Sequence, residues 1–280
     1  MSVIKVKTPA KINLTLEMAG LLEGGYHAIK SIMSAVNLYD FLTFEITTCG
    51  NSEIILNGNN PQIPYDERNL VHKAIKLFCD KTNIKNKKIK VYIEKNIPVE
   101  AGLAGGSTNA AGTFFALNKF FNEPLTEKEL NILCAKLGSD LNFCLKGGCC
   151  LCEGRGEIIT PLNPLNFNIT LIKPNNFGIS AKKAYEKFDS LENKPKPVNT
   201  DKLVKLINDG KFDKNMMINH LEMAVIDDYP ILKKIKAETG AMMSGSGPTM
   251  FTLTPNISFR QNEILIIENL KTISNGVELL

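Results

Sequence analysis

No window of the 280-residue sequence approaches the roughly 18 consecutive apolar residues that a membrane span requires. Its first residues, MSVIKVKTPAKIN, alternate apolar and basic side chains and lack the unbroken apolar core of a secretory leader. An excess of one charge is also missing. The 33 basic and 29 acidic side chains leave a formal +4, too thin a surplus over this length to argue for a nucleic-acid partner. A local basic cleft for an anionic ligand remains compatible with it. Internal repeats and low-complexity tracts are absent. C-x-x-C occurs once, at Cys149 and Cys152, and no second pair accompanies it, so the crowding of Cys144, Cys149, Cys150 and Cys152 lacks the paired spacing of a zinc site. Cys150 and Cys152 fall on one face of an expected strand and Cys149 on the other, which reads as buried or half-buried thiols. The odd total of seven cysteines suits reduced thiols in a cytoplasm better than a disulfide framework.

What is present is an ordinary globular composition, 44% hydrophobic and 22% charged, at a length that fits two compact lobes or one large one. Ile4 and Val6 alternate with lysines, and a second apolar run covers Phe41 to Ile46, so the early part reads as strands. The spacing of Leu70, Ala74 and Leu77 predicts a helix from Asn69 to Cys79. Ile89, Val91 and Ile93 alternate with polar neighbours in a half-buried strand that ends before Pro98. Thr126 and Glu129 form a capping box for a helix that Gly138 stops, and Gly148 to Cys152 is strand-like. The polar, proline-bearing segment from Asp189 to Asp201 reads as a loop. His72 and His220, on helix-like stretches, are expected to be partly exposed. A lobe boundary is expected near Pro161 to Ile169.

The most informative run is PVEAGLAGGSTNAA, Pro98 to Ala111, between an expected strand and an expected helix. Gly102, Gly105 and Gly106 let backbone approach a ligand closely, and Ser107 and Thr108 begin a helix whose unpaired first-turn amides favour an anion. Phosphate is the natural occupant; a tight turn packed against a helix is the alternative. Two better-known phosphate loops are excluded by spelling. No lysine follows Gly106, as a Walker loop needs, and G-x-G-x-x-G is absent.

At this loop the sequence resembles the central motif of the GHMP kinases, the superfamily of galactokinase, homoserine kinase and mevalonate kinase. TPAKINLTL, from Thr8 to Leu16, and GAMMSGSGPTMF, from Gly240 to Phe251, are similar to that family's other two motifs in order and spacing. PAKINL, GGYHAI, GLAGGSTNAA, LGSD, CEGRGEII and SGSGP together most resemble one branch. Its members use ATP to phosphorylate a hydroxyl of a cytidine-diphosphate-linked sugar alcohol in non-mevalonate isoprenoid precursor synthesis. Two departures stand out: Leu141 and Asn142 follow Asp140 where the family continues Val-Pro, and Met242 and Met243 precede Ser244.

The resemblance implies an α+β fold of two lobes, residues 1–162 and 163–280. The first would be similar to a ribosomal-protein fold and the second ferredoxin-like. It implies an ATP site made of Pro98, Val99, Glu100, Ala101, Gly102, Leu103, Ala104, Gly105, Gly106, Ser107 and Thr108, with Ser107 and Thr108 nearest the β- and γ-phosphates and Mg²⁺ bridging phosphate oxygens. No protein ligand for the metal is assigned. Lys95 and Asn69 are candidates for the nucleotide edge, Lys95 being equally readable as a solvated strand-end lysine. Asp140 would aim the acceptor hydroxyl and take its proton. An ordinary aspartate, titrating near ~3.9, can do so only as the oxygen attacks or beside a cation, and the resemblance makes Lys11 that cation, with Asn13 next to it. The residues matching Tyr26 and His27 would hold the cytosine, with Tyr185 closing its other face. Small-molecule substrates, a cytoplasmic location and a monomer or homodimer are expected, with no nucleic-acid or membrane partner. Another alcohol kinase or a diphosphate decarboxylase on the same fold is the competing reading, against which Gly25-Tyr26-His27 argues. A non-enzymatic RNA- or ligand-binding module is a third.

Overall fold

Two long antiparallel strands organise the chain. In a computed structural model that describes residues 2–175, 177–255 and 257–280, β1 (Ser2–Leu21) and β2 (His27–Thr48) pair from Ser2 opposite Ile46 to Leu21 opposite His27. The alternation at Ile4 and Val6 and the apolar run from Phe41 to Ile46 are thus facing ends of one hairpin. β3 (Glu53–Gly58), helix α1 (Leu70–Thr82) and β4 (Lys87–Glu94) follow, and the sheet continues β1-β2-β4-β3 with β3 parallel to β4. In β4 the expected alternation holds, with Ile89, Val91 and Ile93 buried and Lys90 and Tyr92 exposed. Helix α2 (Gly105–Phe120) leaves the glycine loop. α3 (Glu127–Leu137) opens on the Thr126–Glu129 capping box and ends at Gly138, as its sequence predicts. α4 (Leu141–Lys146) leads to the hairpin of β5 (Cys149–Glu153) and β6 (Ile158–Pro161), which adds to β2 along Ser31 to Ser34.

Beyond β7 (Asn168–Pro174) lie α5 (Ala181–Asp189) and α6 (Asn199–Asn208). These helices overrun both ends of the segment expected as a loop, which shrinks to Ser190 to Val198. The reason is a cap from far away: the buried Glu17 carboxylate on β1 accepts the N–H groups of Val198, Asn199 and Thr200 at 2.9, 3.0 and 2.7 Å. It satisfies the donors that begin α6, where no local side chain does. β8 (Ile218–Asn219), α7 (His220–Val225), α8 (Pro230–Thr239), β9 (Met242–Met243), β10 (Met250–Thr252), β11 (Ile264–Lys271) and β12 (Glu278–Leu279) complete the chain. β11-β7-β10-β9 form a second, antiparallel sheet, while β8 and β12 pair back onto β1. The architecture is α+β, one mixed and one antiparallel sheet with helices packed on them. Among the described residues no helix is long and apolar enough to cross a membrane.

Irregularities in β1 decide which side chains reach the site. Pairing with β2 shifts register between Pro9 and Ala10 and again between Asn13 and Thr15. A bulge reverses the faces of a strand. Val6, Leu16 and Met18 therefore belong to one buried cluster, with Phe44, Phe78 and Phe114, while Ala10, Ile12 and Leu14 belong to the other, with Leu171, Leu203 and Phe251. Between the bulges, Lys11 and Asn13 turn to the side from which the glycine loop approaches. Phe114, fully buried in the first cluster, anchors α2 to that sheet. Phe114→Ala is expected to lower unfolding stability by about 3–5 kcal/mol, read as a shift of the urea midpoint at unchanged m-value.

Candidate active site

Lys11 and Asn13, two residues apart on one face, meet side by side. Lys11 Nζ donates to Asn13 Oδ1 at 2.6 Å, Asn13 Nδ2 donates to Ser31 Oγ at 2.8 Å, and Ser31 Oγ donates to Thr15 O at 2.6 Å. The ammonium is thus held by a chain of fixed partners and is nearly inaccessible. Asp140 occupies the N-cap position of α4 but makes no side-chain capping bond. Its carboxylate instead faces Lys11, Oδ2 to Nζ 3.7 Å, and is the more exposed partner, 29% against 4%. A cation with one committed neighbour and an acceptor with free lone pairs therefore lie together at the cleft.

The glycine loop is fixed against two other motifs through its own carbonyls. Lys11 N–H donates to Leu103 O at 3.2 Å, and Ser244 Oγ donates to Gly102 O at 3.0 Å. Gly102 has φ +73°, and a Cβ there would fall 2.1 Å from Ser244 O, so no other residue lets the loops meet this closely. The Ser244 turn is held in turn from α7. Asn219 Nδ2 donates to Met243 O and Gly245 O at 2.7 and 2.9 Å, and the Glu222 carboxylate accepts from Met243 N–H. Where the loop becomes α2, Ala104 sits in the left-handed region at φ 58° and supplies no side-chain cap. The first amides of α2 are left for a ligand, the arrangement that binds anions.

A cleft of about 570 Å³ brings these parts together. Of the expected residues, Lys11, Asn13, Asn69, Lys95, Pro98, Val99, Glu100, Ala101, Gly102, Ala104, Gly105, Gly106, Ser107, Asp140 and Tyr185 line it. Leu103 and Thr108 are buried beneath it, and the Thr108 hydroxyl has no hydrogen-bond partner. Asn69 spends its side chain on structure, accepting from Val71 N–H and donating to Pro64 O. Lys95 is no solvated strand-end lysine: its Nζ is buried against Asp40 Oδ2 at 2.5 Å and Ile97 O at 2.8 Å. Burial pulls the Lys95 ammonium below the usual lysine range, and the Asp40 charge opposes that pull. A larger groove of about 890 Å³ between α2, α3 and α4 contains none of the motif residues that converge here.

Of the expected aromatic residues Tyr185 lines the cleft, while Tyr26 and His27 do not. Tyr185 stacks on His27 at 4.8 Å, and burial, with the Asp140 charge adding to it, pushes the tyrosine hydroxyl up to about 12. His27 Nε2 is 2.9 Å from Asp189 Oδ1. Tyr26, more than half exposed, has the Arg155 guanidinium over its ring at 5.3 Å. Sequence reasoning did not nominate Asp40, Arg155 or Asp189. Arg155 lay within a quoted motif, whereas Asp40 and Asp189 carry no local signal. His220 also departs from expectation. It is wholly buried, its Nδ1 accepting from Met18 N–H, because α7 packs onto β1. Among the described residues no cluster of three or more histidine, cysteine or acidic side chains is shaped to hold a metal alone.

Comparison with known proteins bears on the family and the fold. Residues 69–148 match the family model described as the GHMP kinases N terminal domain. The chain is 43% identical to the 4-diphosphocytidyl-2-C-methyl-D-erythritol kinase of Clostridium perfringens, covering 89% of this chain and 88% of that protein. It is 42% identical to the enzyme of the same name from Clostridium tetani, with 90% and 91% covered. A crystal structure of 4-(cytidine 5'-diphospho)-2C-methyl-D-erythritol kinase superposes with a TM-score of 0.72 at 26% identity over 88% of each chain. A homoserine kinase from Cytophaga hutchinsonii shares the fold, with a TM-score of 0.77 at 19% identity over 100% of this chain and 98% of that one.

The thiols are free and mostly buried, as their sequence suggested. Burial raises Cys134 and Cys149 to about 12 and Cys150 to about 11, and also pushes Cys144 and Cys152 upward. Only thiolate reacts readily. Iodoacetamide at pH 8 is therefore expected to leave all five unmodified in the folded protein and to label them once denatured. Fast labelling of native Cys150, seen by peptide mass spectrometry, would contradict this.

Proposed function

The chain belongs to the 4-diphosphocytidyl-2-C-methyl-D-erythritol kinases, a branch of the GHMP kinases, and on that premise we propose which of its groups carry out the reaction. It is an ATP-dependent phosphotransferase acting on a hydroxyl of 4-diphosphocytidyl-2-C-methyl-D-erythritol. The observation that carries the residue assignment is the Lys11–Asp140 pair at 3.7 Å, beside the uncapped first turn of α2.

The α2 amides and the loop from Pro98 to Ser107 cradle the phosphates of ATP, so that their negative charge meets fixed dipoles rather than water that must reorganise. Asp140 accepts a hydrogen bond from the acceptor hydroxyl and thereby aims its oxygen at the γ-phosphorus. As the new O–P bond forms, the bond to the β-phosphate oxygen breaks and ADP leaves with that electron pair. The hydroxyl proton passes to Asp140. Lys11, steered by Asn13, stabilises negative charge growing on the attacking oxygen. Ser107 and Asp140, which bring oxygen atoms to the cleft wall, are the residues that would hold a magnesium ion delivered with the nucleotide, and the ion would supply neutralisation of phosphate charge. Tyr26, His27 and Tyr185 make the cytosine end of the acceptor site, the aromatic faces stacking on the base. Cytoplasmic location is part of the same proposal, in keeping with seven unpaired thiols.

A coupled ADP-release assay with ATP, Mg²⁺ and the cytidine-linked substrate tests the assignment. Asp140→Asn is expected to lower kcat by about a thousandfold or more while leaving ADP affinity intact by calorimetry; near-normal turnover would remove Asp140 from the mechanism. Tyr26→Ala is expected to raise KM for the cytidine substrate by roughly tenfold, in line with the loss of one stacking contact, and to leave KM for ATP as it was. A weakened ATP site instead would show that the base lies elsewhere.

A further inference from the structure

Beneath the glycine loop lies a carboxylate that the mechanism above does not use. Asp40, on β2, is fully buried. Its Oδ1 accepts the backbone N–H groups of Asn96 and Ile97 at 2.7 and 2.8 Å. Its Oδ2 accepts Lys95 Nζ at 2.5 Å and Asn109 Nδ2 at 2.9 Å. Four donors fill the lone-pair sites of one carboxylate. They come from the two arms of the same loop: Lys95, Asn96 and Ile97 enter it, while Asn109 lies on α2, about one helical turn past the loop's end. The spacing underneath is equally tight, since a Cβ at Gly105 would lie 2.6 Å from Lys95 Nζ.

We propose that Asp40 is a positioning residue of the phosphoryl-donor site, a buried clamp that fixes the distance between the strand entering the loop and the helix end that receives the phosphates. The proposal rests on reading that loop as the ATP cradle. The clamp also explains why Lys95 is in the cleft wall without being free for phosphate: its ammonium is committed to Asp40 and Ile97 O. The loop's anion affinity then comes from amides whose orientation this pair sets. An acceptor-only group is required at Asp40. An asparagine of the same shape brings two N–H donors, which must face either Lys95 and Asn109 or the amides of Asn96 and Ile97, and donors facing donors push one arm of the loop away.

The test is Asp40→Asn in the full-length protein, measuring thermal midpoint, KM for each substrate, and ADP affinity by calorimetry. A clamp acting on the donor site alone raises KM for ATP and the dissociation constant for ADP by about tenfold or more, leaving KM for the cytidine substrate within about twofold. A general loss of structure moves both substrates together, and a parallel rise would overturn the proposal, as would unchanged ADP affinity in a folded variant. Asn109→Ala, which removes one donor and leaves the other three, is the second variant should Asp40→Asn not fold. It is expected to weaken ADP severalfold with the acceptor unaffected, and equal effects on both substrates would again count against the clamp. Wild-type protein measured alongside separates the two layers of inference. If it does not bind ADP, the donor-site reading itself is wrong; if it does and the variants bind equally well, only the part given to Asp40 falls.

Discussion

The site depends on one close approach of backbone to backbone, Gly102 against Ser244 and Gly247. Gly102 belongs to a loop rooted in the first sheet, and Ser244 to the turn between β9 and β10 of the second. Their approach requires a residue without Cβ and with positive φ, and it requires both sheets to be in place at once. Much of the rest serves that meeting. Asn219 and Glu222 hold the Ser244 turn from α7, β8 ties α7 to β1, and β1 delivers both Lys11 and the amide that bonds Leu103 O. Three stretches far apart in sequence become one surface because each is fastened to the same long strand or to a loop that touches it.

A second constraint is that the charges near this surface are buried and must each be answered. Removing charges from water costs several kcal/mol per ion unless partners replace the lost solvation. Asp40 with Lys95, Lys11 with Asn13 and Asp140, and Glu17 with the amides opening α6 all meet that condition. Groups held this way do not reorganise when charge develops during a reaction, which is where fixed dipoles and ions contribute most to catalysis. The formal +4 of the whole chain is irrelevant to this. What counts is where a few ions are pinned.

The parts of the site written into local spelling were legible before any coordinates. Gly102 and its neighbours announce a close backbone approach, Thr126 and Glu129 a helix start, and Ile89 to Ile93 a half-buried strand. Residues whose role comes from a distant partner were not. Asp40 lies 55 residues before the lysine it binds, and Glu17 caps a helix more than 180 residues later, so α6 begins inside a stretch that looks like loop. His220 looked partly exposed because nothing near it says that α7 will rest on β1. The bulges that flank Lys11 and Asn13 in β1 are a subtler case. Strict alternation carried through them would turn Lys11 and Asn13 toward the wrong face, and only the motif, not the periodicity, pointed to these residues.

The two halves of the cleft differ in what they are made of, and that difference has a chemical consequence. On the assignment proposed above, the donor side is built largely from backbone: glycines, the first amides of α2, and carbonyls fastened to neighbouring loops. Phosphate asks only for N–H groups at the right positions, so such a surface can persist while the side chains around it change. On the same assignment the acceptor side is made of side chains, Tyr26 under Arg155 and Tyr185 on His27, with Asp189 bonded to the imidazole. A hydrogen bond at Nε2 leaves Nδ1 as the imidazole's other polar group, so the carboxylate at the end of α5 governs how that ring can meet a ligand. Selectivity for one alcohol over another must come from this half, because only side chains can distinguish the molecules that a shared phosphate cradle would treat alike.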